Sequence, residues 1–254
     1  MGATRAWRLG PLILWIQRLG SEWRIGRRQL EDPLDPTLEV ARTVSDEEID
    51  QAEELHRFAL GGQETSVQLN PRLPDRAMVS RPTDPFHLMP GQECVVYVGL
   101  PLWVQVTLPP SDRPLVDIPV FRPSDTWFGP TTDEGELCYA TRTFCRLRVE
   151  DLPFRAYRGV TAVTIRNRAG DALLLERLRL PMSVLGLYLS EEGRLWTEDV
   201  TLERRASGEL ARLSIGSTAP AHAHGAERIA QPRVPPQGNI MVRAFGTLLG
   251  KAQP

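Results

Sequence analysis

The 254-residue chain is 41% hydrophobic and 24% charged, a globular balance that excludes long disordered tracts. Its formal net charge is −2, so it lacks the basic excess that attracts phosphate backbones or anionic lipid, and no nucleic-acid partner is expected. The apolar run Leu12 to Ile16 falls far short of the roughly 20 residues that span a bilayer, so no membrane insertion is expected either.

The first segment reads as a meander of strands: Trp7 and Leu9, then Leu12 to Ile16, a polar turn at Gly20-Ser21, and Trp23-Arg24-Ile25. Asp32-Pro33 and Asp35-Pro36 interrupt it, because the residue before a proline is pushed out of the helical region. Ser45 followed by Glu48 reads as a capping box, with Val44 placed to staple onto Ile49 and with Ile49, Ala52, Leu55 and Ala59 at helical spacing. One short helix is therefore predicted at about 46–60, stopped by Gly61-Gly62.

From Val67 onward the period changes to two, most cleanly where Leu102, Val104, Val106 and Leu108 alternate with Trp103, Gln105 and Thr107. Comparable runs are 93–98, 115–120, 136–143, 160–167, 172–180, 184–190, 194–205 and 209–215. The turn-forming links Arg168-Ala169-Gly170-Asp171, Glu191-Glu192-Gly193 and Ser207-Gly208 predict antiparallel hairpins between neighbours. Pro119 falls inside a run and is expected on an edge or at a bulge. A Pro- and Ala-rich loop at about 219–238 is expected to be flexible, and 239–246 to return as a last strand. The fold class expected is mostly β: a single antiparallel, β-sandwich-like domain spanning 1–254.

The central stretch resembles a prokaryotic family, domain of unknown function 432. The resemblance rests on the proline-spaced run Arg81-Pro82-Thr83-Asp84-Pro85-Phe86-His87-Leu88-Met89-Pro90, on Trp127-Phe128-Gly129 followed by Gly135, Leu137-Cys138 and Arg142, and on Thr164-Ile165-Arg166-Asn167. It covers roughly Val79 to Ile215, with a possible return at Met241 to Phe245, and the 46–60 segment looks like an addition to it. The resemblance implies a β-rich fold with no assigned reaction or cofactor. It also implies a hint of a partner, since some members are encoded near small mechanosensitive channels.

Candidate chemistry is sparse. His222-Ala223-His224 would place two imidazoles on a metal, yet no third ligand stands at ligand spacing, so no metal or other cofactor is assigned. Cys94, Cys138 and Cys145 form neither an even disulfide set nor a CxxC pair, which suits a reducing, cytoplasmic location. Cys145 lies among Arg142, Arg146 and Arg148, a setting that favours a thiolate if exposed, against the plainer role of a core thiol. Asp117, Asp125, Asp133, Glu134 and Glu136 would supply the carboxylate pair of a glycosidase, or simply a solvated surface. Trp7, Trp15 and Trp23 would make an aromatic row for sugars or a partner, or pack the sheet.

With no catalytic residue assigned, the chain is read as a non-enzymatic accessory or regulatory module that binds another protein or a second copy of itself through strand edges and proline-rich loops. The alternatives are a small-ligand or carbohydrate-binding module and an uncharacterised hydrolase. The candidate binding surface comprises Trp127, Phe128, Gly129, Arg142, Arg166 and Asn167.

Overall fold

The computed structural model describes residues 4–59, 66–110, 113–141, 143–221, 223–236, 238 and 240–246. The chain is mostly β, in several sheets dominated by antiparallel pairs, as the alternating pattern predicted. It gathers into two compact units, one formed by Met1–Arg72 with Leu102–Arg122, the other by Leu73–Pro101 with Pro123–Pro254.

In the first unit the predicted meander is present: Thr4–Leu9, Leu12–Arg18 and Glu22–Gln29 pair in sequence as antiparallel neighbours. Leu38–Val44 pairs with the first of these and Glu54–Ala59 with the third, giving a five-stranded sheet. A second sheet sets Trp103–Leu108 between Gln68–Arg72 and Arg113–Pro119. Pro119 lies on the edge strand, where its missing N–H leaves no ladder bond unmade.

The predicted helix at about 46–60 is not formed. Glu48–Gln51 makes one 3-10 turn, with backbone bonds from Glu48 to Ser45, Asp50 to Glu47 and Ala52 to Ile49, and the chain then enters the strand Glu54–Ala59. Tertiary partners displace the local cap. The Glu48 carboxylate accepts hydrogen bonds from Trp15 Nε1 at 3.2 Å and Arg42 Nη2 at 2.7 Å instead of reaching back to the backbone. Ile49 is fully buried against Gly26, where a Cβ would sit 2.9 Å from Ile49 Cγ1 and Ala52 Cβ. Beyond that plug the free edge of Glu22–Gln29 takes Glu54–Ala59 as a six-residue ladder, so edge pairing overrides helical spacing.

The second unit is organised by the ten-residue strand Arg158–Asn167. It pairs antiparallel with Glu93–Pro101 on one side and parallel with Leu195–Trp196 and Val200–Arg204 on the other. The hairpin predicted at 168–171 does not form: Leu173–Leu175 pairs with Phe86–Leu88, and Arg177–Leu180 with Met78–Ser80. The turns at 191–193 and 207–208 do join antiparallel pairs. Within the tract 219–238, Glu227–Ala230 is a strand on Leu187–Leu189, anchored where Arg228 meets Tyr188 and the buried Glu198. Ile240–Arg243 pairs with Leu210–Ile215, and Phe245–Gly246 with Arg177–Leu180.

Asn167 closes one end of the central strand. It is fully buried, donates from Nδ2 to the carbonyls of Leu88 and Asp171 at 2.8 Å each, and accepts at Oδ1 from Arg204 Nη1 at 3.1 Å. Arg204, itself buried, also pairs with the Asp171 carboxylate at 2.8 Å and donates to the Gly208 carbonyl. Replacing Asn167 by Leu removes the side-chain donor to the Leu88 carbonyl and the acceptor of both the Ala169 N–H and Arg204 Nη1, and urea unfolding should register a loss of about 2–4 kcal/mol.

Hydrogen bonds from Arg204 and Ser207 hold the Asp171 carboxyl below its ordinary value. The folded chain therefore keeps Asp171 ionised at acidities where the unfolded chain has taken up a proton. This contribution is complete above the unfolded pKa and is lost as pH falls through the lower folded value. Asp171→Asn should thus differ most from the parent protein at neutral pH, the two unfolding midpoints converging as pH falls through and below the ordinary carboxyl range.

Candidate functional site

In the second unit a cleft of about 430 Å³ lies between Pro82–Phe86 and the segment 145–147, with Val96 and Asp151 also in its wall. The proline-spaced run thus forms one side of it. The opposite side is set by backbone pairing: Cys145 N–H donates to the Arg81 carbonyl at 2.8 Å, and Tyr97 and Arg146 exchange bonds of 2.7 and 2.9 Å. Gly99 allows this close crossing, since a Cβ there would stand 3.0 Å from Thr143 Oγ1, which donates to the Gly99 carbonyl at 2.7 Å.

The cleft is apolar in its walls and charged at intervals. Leu147 is 59% exposed and Phe144 beside it is also exposed, with the Arg146 guanidinium 5.8 Å from the Phe144 ring centroid. Asp84 and Asp151 bring two carboxylates to the lining. Cys145 is buried, and desolvation pushes its thiol up to about 12, far outweighing the nearby Arg146. The same effect raises Cys138 to about 11. Neither is a thiolate at neutral pH, because burial disfavours the charged form more than neighbouring arginines favour it.

The residues singled out in sequence fall in two places. Trp127, Phe128 and Gly129 end the strand Ser124–Phe128, paired with Glu136–Ala140. Phe128 is buried under Arg177, whose guanidinium carbon stands 5.1 Å from the ring centroid and whose Nη2 donates to the Trp127 carbonyl at 2.8 Å. Gly129 adopts φ +144°, and a Cβ there would meet Gly135 Cα at 2.3 Å; the Trp127 indole rests on Gly135 and donates to the Thr131 carbonyl at 3.1 Å.

Arg166 and Asn167 instead belong to the central strand. Arg166 pairs with Glu93 at 3.0 Å, directly across the ladder, and all four of Asn167's amide bonds stay within the fold. Arg142 lies outside the described residues, as does His222. Among the described residues no group of three or more His, Cys, Asp or Glu is placed to hold a metal.

The carboxylates weighed as an acid–base pair are spread among arginine partners: Asp125 with Arg76 at 3.5 Å, Glu134 with Arg243 at 3.4 Å, and Glu136 with Arg179. Asp117 stands on the edge strand of the first unit. Trp15 and Trp23 are buried and Trp7 is half-buried, so the aromatic row packs the meander.

A family profile described as protein of unknown function (DUF432) matches residues 2–249. The chain belongs to this family. The DUF432 match runs across the 46–60 segment. No curated protein and no solved structure matches the chain.

The cleft wall at 145–147 went unread in sequence, where Cys145 among its arginines reads as a core thiol, with a reactive thiol as the alternative if exposed. The alternation of Phe144, Arg146 and Arg148 with Cys145 and Leu147 was the available signal of an extended segment. With its thiol held neutral, Cys145 should react with iodoacetamide at pH 8 at least about a hundredfold more slowly in the folded protein than after denaturation. Peptide mass spectrometry of timed quenches measures that ratio.

Proposed function

We propose that this protein is a cytoplasmic, non-enzymatic accessory module whose cleft between Pro82–Phe86 and 145–147 receives an apolar side chain, Leu or Phe, from an extended segment of another protein. The exposed Leu147 at the lip of a preformed apolar cleft carries this reading. Both walls are already tied by backbone bonds, so docking requires little ordering of the site. The volume suits one or two anchoring side chains.

The free state of Cys94, Cys138 and Cys145 supports the reducing location. Among the described residues, no helix is long and apolar enough to cross a membrane. The partner suggested by the family's setting is a small mechanosensitive channel. A second copy of the chain is the other protein occupant to distinguish.

The two alternatives have narrower support. A carbohydrate-binding reading keeps only the partly exposed Trp127 after Trp15 and Trp23 are used in the core. A hydrolase built on Asp125 or Glu136 would need those carboxylates freed from their arginine partners, and one built on Cys145 would need a thiolate that burial disfavours.

The test is titration of the full chain with a purified small mechanosensitive channel, and in parallel a sedimentation series of the chain alone. Binding by the parent protein that falls at least tenfold in Leu147→Asp, with an unchanged melting temperature, is the expected result. Loss of concentration-dependent self-association in the same variant would assign the cleft to a second copy instead. If Leu147→Asp alters neither the channel titration nor the sedimentation series, the cleft is not an interface.

A further inference from the structure

Arg158 opens the central strand, at the end opposite Asn167, and is only 6% exposed. Its guanidinium has no carboxylate partner among the described residues. Nη2 donates to two neutral oxygens, Thr143 Oγ1 at 3.2 Å and the Gly99 carbonyl at 3.5 Å, and the buried Nε has no hydrogen-bond partner. Burying a charge on neutral oxygens alone is costly, because desolvation removes several kcal/mol of hydration that one or two weak bonds do not restore.

The surroundings add positive charge to it. Arg158 lines a recess of about 10 Å³ whose wall also includes Arg155, Arg194, Thr143 and Phe154 and contains no acidic residue. The nearby acids face elsewhere: Glu150 pairs with Arg148 at 3.5 Å, and Asp151 lies in the wall of the larger cleft. Arg194 is held against aromatic faces, its guanidinium carbon 5.3 Å from the Phe154 centroid and 5.9 Å from that of Trp196, with no carboxylate partner among the described residues. Burial pushes Arg158 down to about 10, against an opposing effect of Tyr157 and with a smaller contribution from Arg155 in the same direction as burial. It remains charged at neutral pH.

We propose that this recess is a phosphate-binding site, in which one oxygen of a phosphate group seats against Arg158 and Thr143 while the rest of the group lies at the mouth between Arg155 and Arg194. The recess has room for one water-sized atom, which matches a single oxygen and not a whole ligand. Guanidinium forks favour oxyanions over spherical halides, since parallel N–H groups meet two oxygens at once. Arg158 and Arg194, with no acid in the wall, match a dianion better than a singly charged carboxylate. The site stands apart from the apolar cleft and does not rest on the interface proposed there.

The test is titration of inorganic phosphate into the full chain at constant ionic strength, with acetate and chloride as controls and glycerol phosphate in parallel. Phosphate at about ten times its dissociation constant should raise the melting temperature by about 3 °C or more, while acetate and chloride leave it near its starting value. A shift with inorganic phosphate, glycerol phosphate or both supports the site, and the pattern says whether the group is bound free or esterified. Arg194→Ala, at a half-exposed position, should keep its unliganded melting temperature and bind phosphate at least about tenfold more weakly. Arg158→Gln should abolish the shift and, by removing an uncompensated buried charge, melt no lower than the parent protein. No phosphate effect on the parent, an equal effect of acetate or chloride, or an undiminished shift in Arg194→Ala overturns the proposal. Should Arg158→Gln fail to fold, the Arg194→Ala titration decides alone.

Discussion

The second unit depends on the nine-pair antiparallel register between Glu93–Pro101 and Arg158–Asn167. Because a strand's side chains alternate, slipping this register by one residue would turn the side chains of the shifted strand to the opposite face relative to its partner. The pair from Arg166 to Glu93 fixes one end, where opposite charges stand across the ladder. At the other end Gly99 sits opposite Val160, and its missing side chain admits the crossing segment with Thr143. The cleft and the arginine-lined recess both depend on that crossing.

The two ends of the central strand treat buried polarity in opposite ways. At Asn167 every amide hydrogen and both acceptor directions are used, and the buried Arg204 brings the Asp171 carboxylate with it. A network satisfied in this way specifies how Leu88, Asp171 and Gly208 converge, which is a structural role. At Arg158 the same kind of buried guanidinium meets neutral oxygens and two further arginines. Contrast within one strand, with the fold able to supply a carboxylate at one end and supplying none at the other, is what marks the Arg158 end as a place for an external anion.

Much of the secondary structure was legible because half-buried strands print their period directly. The meander from Thr4 to Gln29, the strands at 93–101, 103–108 and 210–215, and the turns at 191–193 and 207–208 follow from alternation and turn chemistry alone. The 46–60 segment failed because Ser45, Glu48 and the apolar spacing satisfy helical rules locally, while Trp15 and Arg42 compete for Glu48 and a vacant strand edge competes for the backbone. The turn at 168–171 failed for a related reason: Asn167 and Arg204 draw it away from its sequence neighbours, and Val200–Arg204 takes the adjacent place in the sheet. Of the residues proposed as a surface, Phe128 and Asn167 are buried and hydrogen-bonding or packing demands account for them, whereas Trp127 and Arg166 remain partly open.

By itself the sequence determined the β class, the location of most strands and turns, and the family resemblance, because these depend on side-chain order within a few residues of one another. Only the tertiary structure decided which strands pair, that Cys145 is a neutral thiol inside a cleft wall, and that Arg158 is buried without a carboxylate. Those properties depend on what lies across space from each group. Desolvation and counter-charge are set by residues such as Ser80, Gly99 and Thr143, whose distance along the chain from Cys145 or Arg158 bears no relation to their distance in the fold.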